Sequence, residues 1–286
     1  MKSLKQKTAW VFDHSGLNRV LFTLQHYVLP PHVRAINYHD VPLSLAENFE
    51  SQLRELREHY EPVGLDELVA LQEGRWPHRR PGLLMTFDDG TRSHSDVVAP
   101  ILERYDFPGW FMVPADFVST PPDDQAAYTS EHFINIDGSA YKNLRLALSW
   151  DEVRQLDAKG HIIGCHTRSH RRLEASLDLA ELNYEIVEAK CVLERKLEHE
   201  INVFTWVGGE EWSYSTRAAR VIREAGFRYG FMTNSMPIFP STDRLQLQRS
   251  NIEAHFPPEL MRLVISGFYD MMYLPKRRRV NRLTKE

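Results

Sequence analysis

Short apolar runs of strand length alternate along the chain with longer segments whose apolar residues recur every three or four positions. The runs at 33–38, 83–87, 109–114, 161–165, 202–207, 229–232 and 245–249 predict strands. Helices are predicted over 45–59, from 64 onward, over 94–105, from 149 to 160, and over 177–198, 213–225 and 258–269. Ser149 and Glu152 have the spacing of a capping box, and Gly160 and Gly226 mark helix ends. Strand and helix in regular alternation predict an α/β fold with a parallel sheet or a barrel, in a single domain.

Three stretches do not follow that rhythm. Over 115–148 the periodicity fades, and Pro121-Pro122-Asp123-Asp124 and Asp137-Gly138 are turn signals, so a long insertion near the mouth of a site is expected. Residues 1–32 read as an N-terminal extension. Val20, Leu21, Leu24 and Val28 have helical spacing there, and Pro30-Pro31 ends it. Packing into the core is the expected use of that helix, with contact to a partner or a membrane surface as the alternative. Residues 271–286 form a basic tail, expected to fray as a solvated end, with peripheral contact to anionic lipid or a polyanionic glycan as the alternative. The domain proper is expected to run from 33 to 270.

Composition narrows this little. A hydrophobic share of 42% and a charged share of 26% suit an ordinary water-soluble globular chain. The formal charge of −4 gives no reason to expect nucleic acid. Cys165 and Cys191 are too few for a disulfide framework. The charged start, Met1 to Lys7, leads into no apolar segment of leader length, and no apolar run would span a bilayer, so a cytoplasmic location is expected. Oligomeric state is not legible.

The chemistry gathers where predicted strands stop. The run Leu83-Leu84-Met85-Thr86-Phe87 ends in Asp88-Asp89-Gly90. Side chains alternate along a strand, so adjacent aspartates cannot point the same way unless a turn follows at once. Two carboxylates held close repel, and one would be pushed up in pKa unless a cation sits with them. His39, His166 and the pair Gly208-Gly209 also fall at strand ends, the rim that carries active sites in α/β barrels. His166 and His170 are four apart, which on a helical turn places their Cβ atoms about 5–6 Å from one another, within reach of one ion. Two imidazoles and one carboxylate leave coordination positions open, as catalysis needs.

These motifs resemble those of the polysaccharide deacetylases, the NodB-homology carbohydrate esterases. The family's Thr-Phe-Asp-Asp-Gly stands unchanged at Thr86 to Gly90, and its His-Ser/Thr-x-x-His at His166 to His170. The resemblance covers roughly 33–270 and implies a distorted (β/α) barrel. It implies that Asp88 is a general base and that Asp89, His166 and His170 bind one divalent metal ion, zinc first, with cobalt, nickel or iron also suited. The chain looks like the circularly permuted branch, similar to poly-N-acetylglucosamine deacetylases, in which the hydrophobic-His-Asp motif comes first, here Tyr38-His39-Asp40. That makes His39 the expected proton donor to the leaving amine, and His255 the competitor if the order is not permuted. The third family motif is degenerate over Phe204 to Gly209. It leaves Trp206 and Gly208 as groove and oxyanion candidates, and its usual arginine is absent. Arg249, at a late strand end, is the candidate to support the base instead.

The implied activity is metal-dependent removal of an N-acetyl group from an amino sugar in a glycan or glycan precursor. A deacylase or amide hydrolase acting on another small molecule, or a silent carbohydrate-binding barrel, are the alternatives.

Overall fold

The computed structural model describes residues 4–136, 138–141 and 145–285. Asp137, half of one expected turn, and the start Met1-Lys2-Ser3 lie outside the described residues.

Seven parallel strands close into a barrel. β1 (Val33–Tyr38) opens it, and α3 (Ala46–His59), the two-residue β2 (Glu61–Pro62) and α4 (Leu65–Gln72) follow. Next come β3 (Gly82–Phe87), α5 (Ala99–Arg104), β4 (Gly109–Val113), α6 (Ala115–Ser119), α7 (Gln125–Glu131), α8 (Trp150–Ala158) and β5 (Ile162–Cys165). The second half runs α9 (Leu179–Leu182), α10 (Ala189–Leu197), β6 (Val203–Thr205), α11 (Thr216–Glu224), β7 (Tyr229–Met232), β8 (Leu247–Asn251), α12 (Pro258–Ile265), α13 (Phe268–Met272) and α14 (Leu274–Thr284). A pair of helices, α1 (Leu4–His14) and α2 (Leu17–Val28), precedes the barrel.

β1 is the closing strand, paired with β3 along its whole length from Val33↔Gly82 to Tyr38↔Phe87, and on its other edge with β8. β2 only lengthens the β4 edge of β3 at its start. The β5–β6 seam holds by one pair, Cys165↔Phe204, so the barrel is distorted there.

Strand alternation divides the core in two. Ala35, Leu84, Trp110, Met112 and Phe231 fill the barrel interior. Ile36, Met85, Phe87, Phe111 and Phe204 face the helices, packed with Leu53, Leu102, Ile186 and Leu193. Ser149 accepts from the Glu152 N–H while Glu152 accepts from the Ser149 N–H, the expected capping box.

Segment 115–148 has more order than its weak periodicity suggests. It makes two short helices and its own apolar cluster of Phe117, Ile134, Tyr141, Leu146 and Ala147. Two expectations fail outside the barrel. The stripe expected to pack into the core, Val20, Leu24 and Val28, faces solvent, while Asn18 and Gln25 point inward. Gln25 is drawn in because it donates to the Ile265 carbonyl and accepts from the buried Arg34. The tail, expected to fray, is helix α14. Buried Arg277 ties it down by donating to the carbonyls of Asn234 (3.2 Å), Ser235 (2.7 Å) and Asp270 (3.0 Å). Lys276 donates to the Gly209 carbonyl and Arg279 pairs with Glu211, so much of the tail's charge is spent within the chain. Among the described residues no helix is long and apolar enough to cross a membrane.

Arg277→Met keeps most of the stem volume but strands three carbonyls. It should lower the unfolding free energy by about 1.5–3 kcal/mol, read by urea denaturation. A loss under about 0.5 kcal/mol would mean that apolar contacts alone hold α14.

Candidate functional site

The C-terminal ends of the strands ring a cavity of about 610 Å³. On β3, Leu84 and Thr86 face the interior, so Asp88, two further on, continues that row. Asp89 would turn away, but its φ of 76° and that of Gly90 at 62° fold the chain back immediately. Both carboxylates thereby reach the same cavity. The turn thus begins one residue earlier than the glycine suggests. Aspartate is one of the few side chains that tolerates left-handed backbone, and strain of this kind concentrates at functional positions.

Asp88 is buried against Arg249, which crosses the barrel interior from β8. Its Nη1 and Nη2 donate to the two Asp88 oxygens at 2.7 and 2.9 Å. The same Nη1 also donates to Thr86 Oγ1 (2.9 Å) and Asn37 Oδ1 (3.1 Å). Burial pushes the Asp88 carboxyl up, but the Arg249 and His166 charges outweigh it and hold the group below the usual carboxylate value. Arg249, the candidate for supporting Asp88, is thus its direct partner.

Asp89 turns the other way, towards the histidines. His170 Nε2 stands 3.1 Å and His166 Nε2 3.6 Å from Asp89 Oδ1. The Nδ1 atom of His166 lies 3.0 Å from the Thr205 carbonyl, and that of His170 2.7 Å from the His132 carbonyl. Carbonyls only accept, so each Nδ1 carries a proton, and a ring holding that proton alone would present its Nε2 lone pair to the cavity. Asp89 Oδ1 is buried with no hydrogen-bond donor of its own. Three acceptors thus converge on one point, all within 4.8 Å of one another. Donors around a tetrahedral zinc ion stand about 3–3.5 Å apart, so the set fits a divalent cation. Burial opposes charge on both Asp89 and His170. Attraction between Asp89 and a protonated His170 prevails, holding Asp89 well below its usual value and His170 above its own.

The helical turn expected for His166 to His170 is not formed. Thr167 and His170 have left-handed φ values of 60° and 62°. The buried Glu185 carboxylate accepts from the N–H groups of Arg168 (3.1 Å) and Ser169 (2.9 Å) and from the Ser169 hydroxyl (2.6 Å). These bonds replace helical ones, and the loop still brings the two rings to 5.1 Å.

His39, just past β1, holds its Nδ1 2.8 Å from Glu253 Oε1. Burial lowers its pKa, but the Glu253 bond and the nearby Asp89 and Asp88 charges push it up to about 9. His255 also lines the cavity, at its exposed rim against Phe256. Gly208 lines the wall with φ 77°, and an added Cβ would meet Glu210 Oε2 at 2.7 Å and Arg172 Nε at 2.9 Å. Trp206 does not line it. Residues 204 and 206 share the helix-facing side of their strand, so Trp206 is buried against Phe204 and Tyr214 while Val207 faces the cavity.

Sequence reasoning missed Glu253 and Glu185. Glu253 sits two residues past a strand end, the criterion that singled out His39 and Asp88. Glu185 lies within a charge-laced helical stretch and carries no local signal.

The family model described as polysaccharide deacetylase matches residues 77–230, just over half of the chain. The chain belongs to the polysaccharide deacetylase family. Asp88, Asp89, His166, His170 and Gly208 lie inside the span matched to the deacetylase family; His39, Arg249 and Glu253 lie outside it. The chain is 23% identical over 276 residues to the poly-beta-1,6-N-acetyl-D-glucosamine N-deacetylase of Escherichia coli K12, covering 82% of itself and 41% of that protein. It therefore spans about two fifths of the length of the curated relatives it matches. Among solved structures it resembles the Streptococcus pyogenes deacetylase PplD in complex with acetate, with TM-score 0.65, 18% identity and coverage of 82% and 99% of the two chains. IcaB from Ammonifex degensii gives TM-score 0.63, 18% identity and coverage of 84% and 97%. At these identities the structures speak for the fold.

Arg249→Met leaves the buried Asp88 without its counter-charge and should cost about 3–5 kcal/mol of stability. Urea denaturation gives the loss. A cost under about 1 kcal/mol would mean that the pair is not needed to hold the barrel.

Proposed function

We propose that the chain is a metal-dependent carbohydrate N-deacetylase that hydrolyses the N-acetyl group of an amino sugar within a glycan or glycan precursor. The observation that carries this reading is the convergence of Asp89 Oδ1, His166 Nε2 and His170 Nε2 beside a carboxylate held ionised by Arg249. Family membership and the named activity of the Escherichia coli relative favour an N-acetylated amino sugar as substrate. The acetate held by the Streptococcus pyogenes deacetylase is the carboxylate that such a hydrolysis releases.

Asp89, His166 and His170 would hold the cation, for which zinc is proposed first and cobalt, nickel or iron as substitutes. When bound, the ion supplies Lewis acidity to the attacking water and to the amide carbonyl. Asp88 is assigned the general base. Its Oδ2 lies 3.9 Å from His166 Nε2, beside the cation site, and Arg249 fixes its orientation. His39 is assigned the general acid. Amine departure needs a proton on nitrogen, and Glu253 keeps the imidazole charged at neutral pH. His255 is exposed at the rim, and the carboxylate on its own segment is turned to His39. Gly208, which lines the cavity and where an added Cβ would be crowded, is assigned to the wall that would receive the substrate carbonyl.

Asp88→Asn and Asp89→Asn separate the two carboxylate roles. Asp88→Asn should retain zinc by elemental analysis and lose acetate release by about 10²–10⁴-fold. Asp89→Asn should lose both. Equal zinc loss in the two variants would reverse the assignment, and wild-type protein inactive with zinc, cobalt, nickel or iron on every N-acetylhexosamine glycan tried would remove the enzyme reading.

Glu253→Gln tests the acid. Glu253 favours the charged imidazole, so its removal lowers the His39 pKa, and the alkaline limb of kcat/KM should move down by about one unit. An unmoved alkaline limb would take the acid role away from His39.

A further inference from the structure

α2 is turned inside out. Its buried residues are the amides Asn18 and Gln25, with Phe22 packed beside them against Tyr60, whereas Leu17, Val20, Leu24, Tyr27 and Val28 face solvent. The spacing of 3, 4, 3 and 1 places these five on one face of the helix. Exposure rises along it, from 39% at Leu17 and 53% at Val20 to 86% at Tyr27 and 70% at Val28. A twelve-residue helix is about 18 Å long, so the stripe is a continuous apolar band. The inward face is held, because Gln25 bonds Arg34 and the Ile265 carbonyl, and a rotation that hid the stripe would break both bonds and leave Arg34 to Asp270.

The formal charge of the segment that carries the band is one-sided. Although the chain carries −4, residues 1–28 hold Lys2, Lys5, Lys7 and Arg19 against a single acid, Asp13, which is bound by Arg262 at 3.0 Å. Lys5, Lys7 and Arg19 are exposed. Tyr27 near the end of the band, and Trp10 on the neighbouring helix at 45% exposure, are the aromatic types that settle at a lipid–water boundary.

We propose that α1 and α2 form an interfacial anchor that lays the α2 band into the headgroup region of an anionic lipid bilayer. An apolar face with basic residues beside it is what such a surface binds, by burial and by attraction to acidic headgroups together. A second copy of the chain fits worse. Stable dimer interfaces take about 20–30 residues a side, more than the single face of a twelve-residue helix offers. No α1 or α2 residue lines the candidate site, so the anchored protein keeps its cavity open.

The test is flotation of the full chain with vesicles of phosphatidylcholine alone or mixed with phosphatidylglycerol. The protein should float with the mixed vesicles, release as salt rises, and bind at least about tenfold more weakly as the Val20→Glu/Leu24→Glu double variant. Both positions are exposed, so the variant should keep its thermal unfolding midpoint, measured alongside. Failure to float with mixed vesicles, equal flotation with neutral ones, or flotation unchanged in the double variant overturns the proposal. So does a concentration-dependent dimer in sedimentation that the double variant abolishes, which would assign the band to a second copy.

Discussion

A single guanidinium stands at the seam where the barrel closes. Arg249 enters from the last strand, Asn37 from the first and Thr86 and Asp88 from β3, and Nη1 alone donates to all three of these neighbours. A charge in that interior costs several kcal/mol in lost hydration, and only a hydrogen-bonded counter-ion makes it tolerable. Asp88 is that counter-ion. Barrel closure and ionisation of the assigned base are therefore one interaction, since neither charge can be kept inside without the other.

The cation site rests on a different economy. Nothing in Asp89, His166 or His170 alone obliges them to meet, and three of the backbone turns involved, at Asp89, Thr167 and His170, are left-handed without glycine. Glu185 holds the histidine loop by two N–H groups and a hydroxyl, and two carbonyls fix the ring tautomers. The polar groups around the site are thus spent on aiming three acceptors at one another. Such a set is poised to take up a positive charge, which would be how the fold stores affinity for the proposed metal ion.

Most of this frame was readable as sequence. The strand runs, their alternation with helices and the strand-end positions of Asp88, His39, His166 and Gly208 all follow from period and turn chemistry, because alternation and helical spacing are local. What escaped was set by contacts far apart in the chain. Trp206 points to the core because of the phase of its strand, which the degenerate motif around it obscured. Glu253 serves a histidine more than two hundred residues earlier, and Glu185 acts on a loop that looked helical by spacing alone. The α2 stripe was read as core because apolar periodicity says which face is apolar. It cannot say which face the protein claims, and here the claim was made by Arg34 through Gln25.

The division of labour in the site follows from environment more than from residue type. Arg249 holds Asp88 below the ordinary carboxylate value, and Glu253 with the two aspartates holds His39 up near 9. Between those limits the proposed base is ionised and the proposed acid protonated at the same time, which is the condition that water activation and amine expulsion in one turnover would need. A divalent ion beside Asp89 would pull both groups downward. Glu253 then has a definite purpose: it offsets that pull at His39 alone, because its carboxylate is bonded to His39 and Asp88 is already committed to Arg249. His255 has no comparable support, and lies at the exposed rim. It is this counter-charge that favours His39 over His255 as the proposed acid, a difference that residue identity alone could not supply.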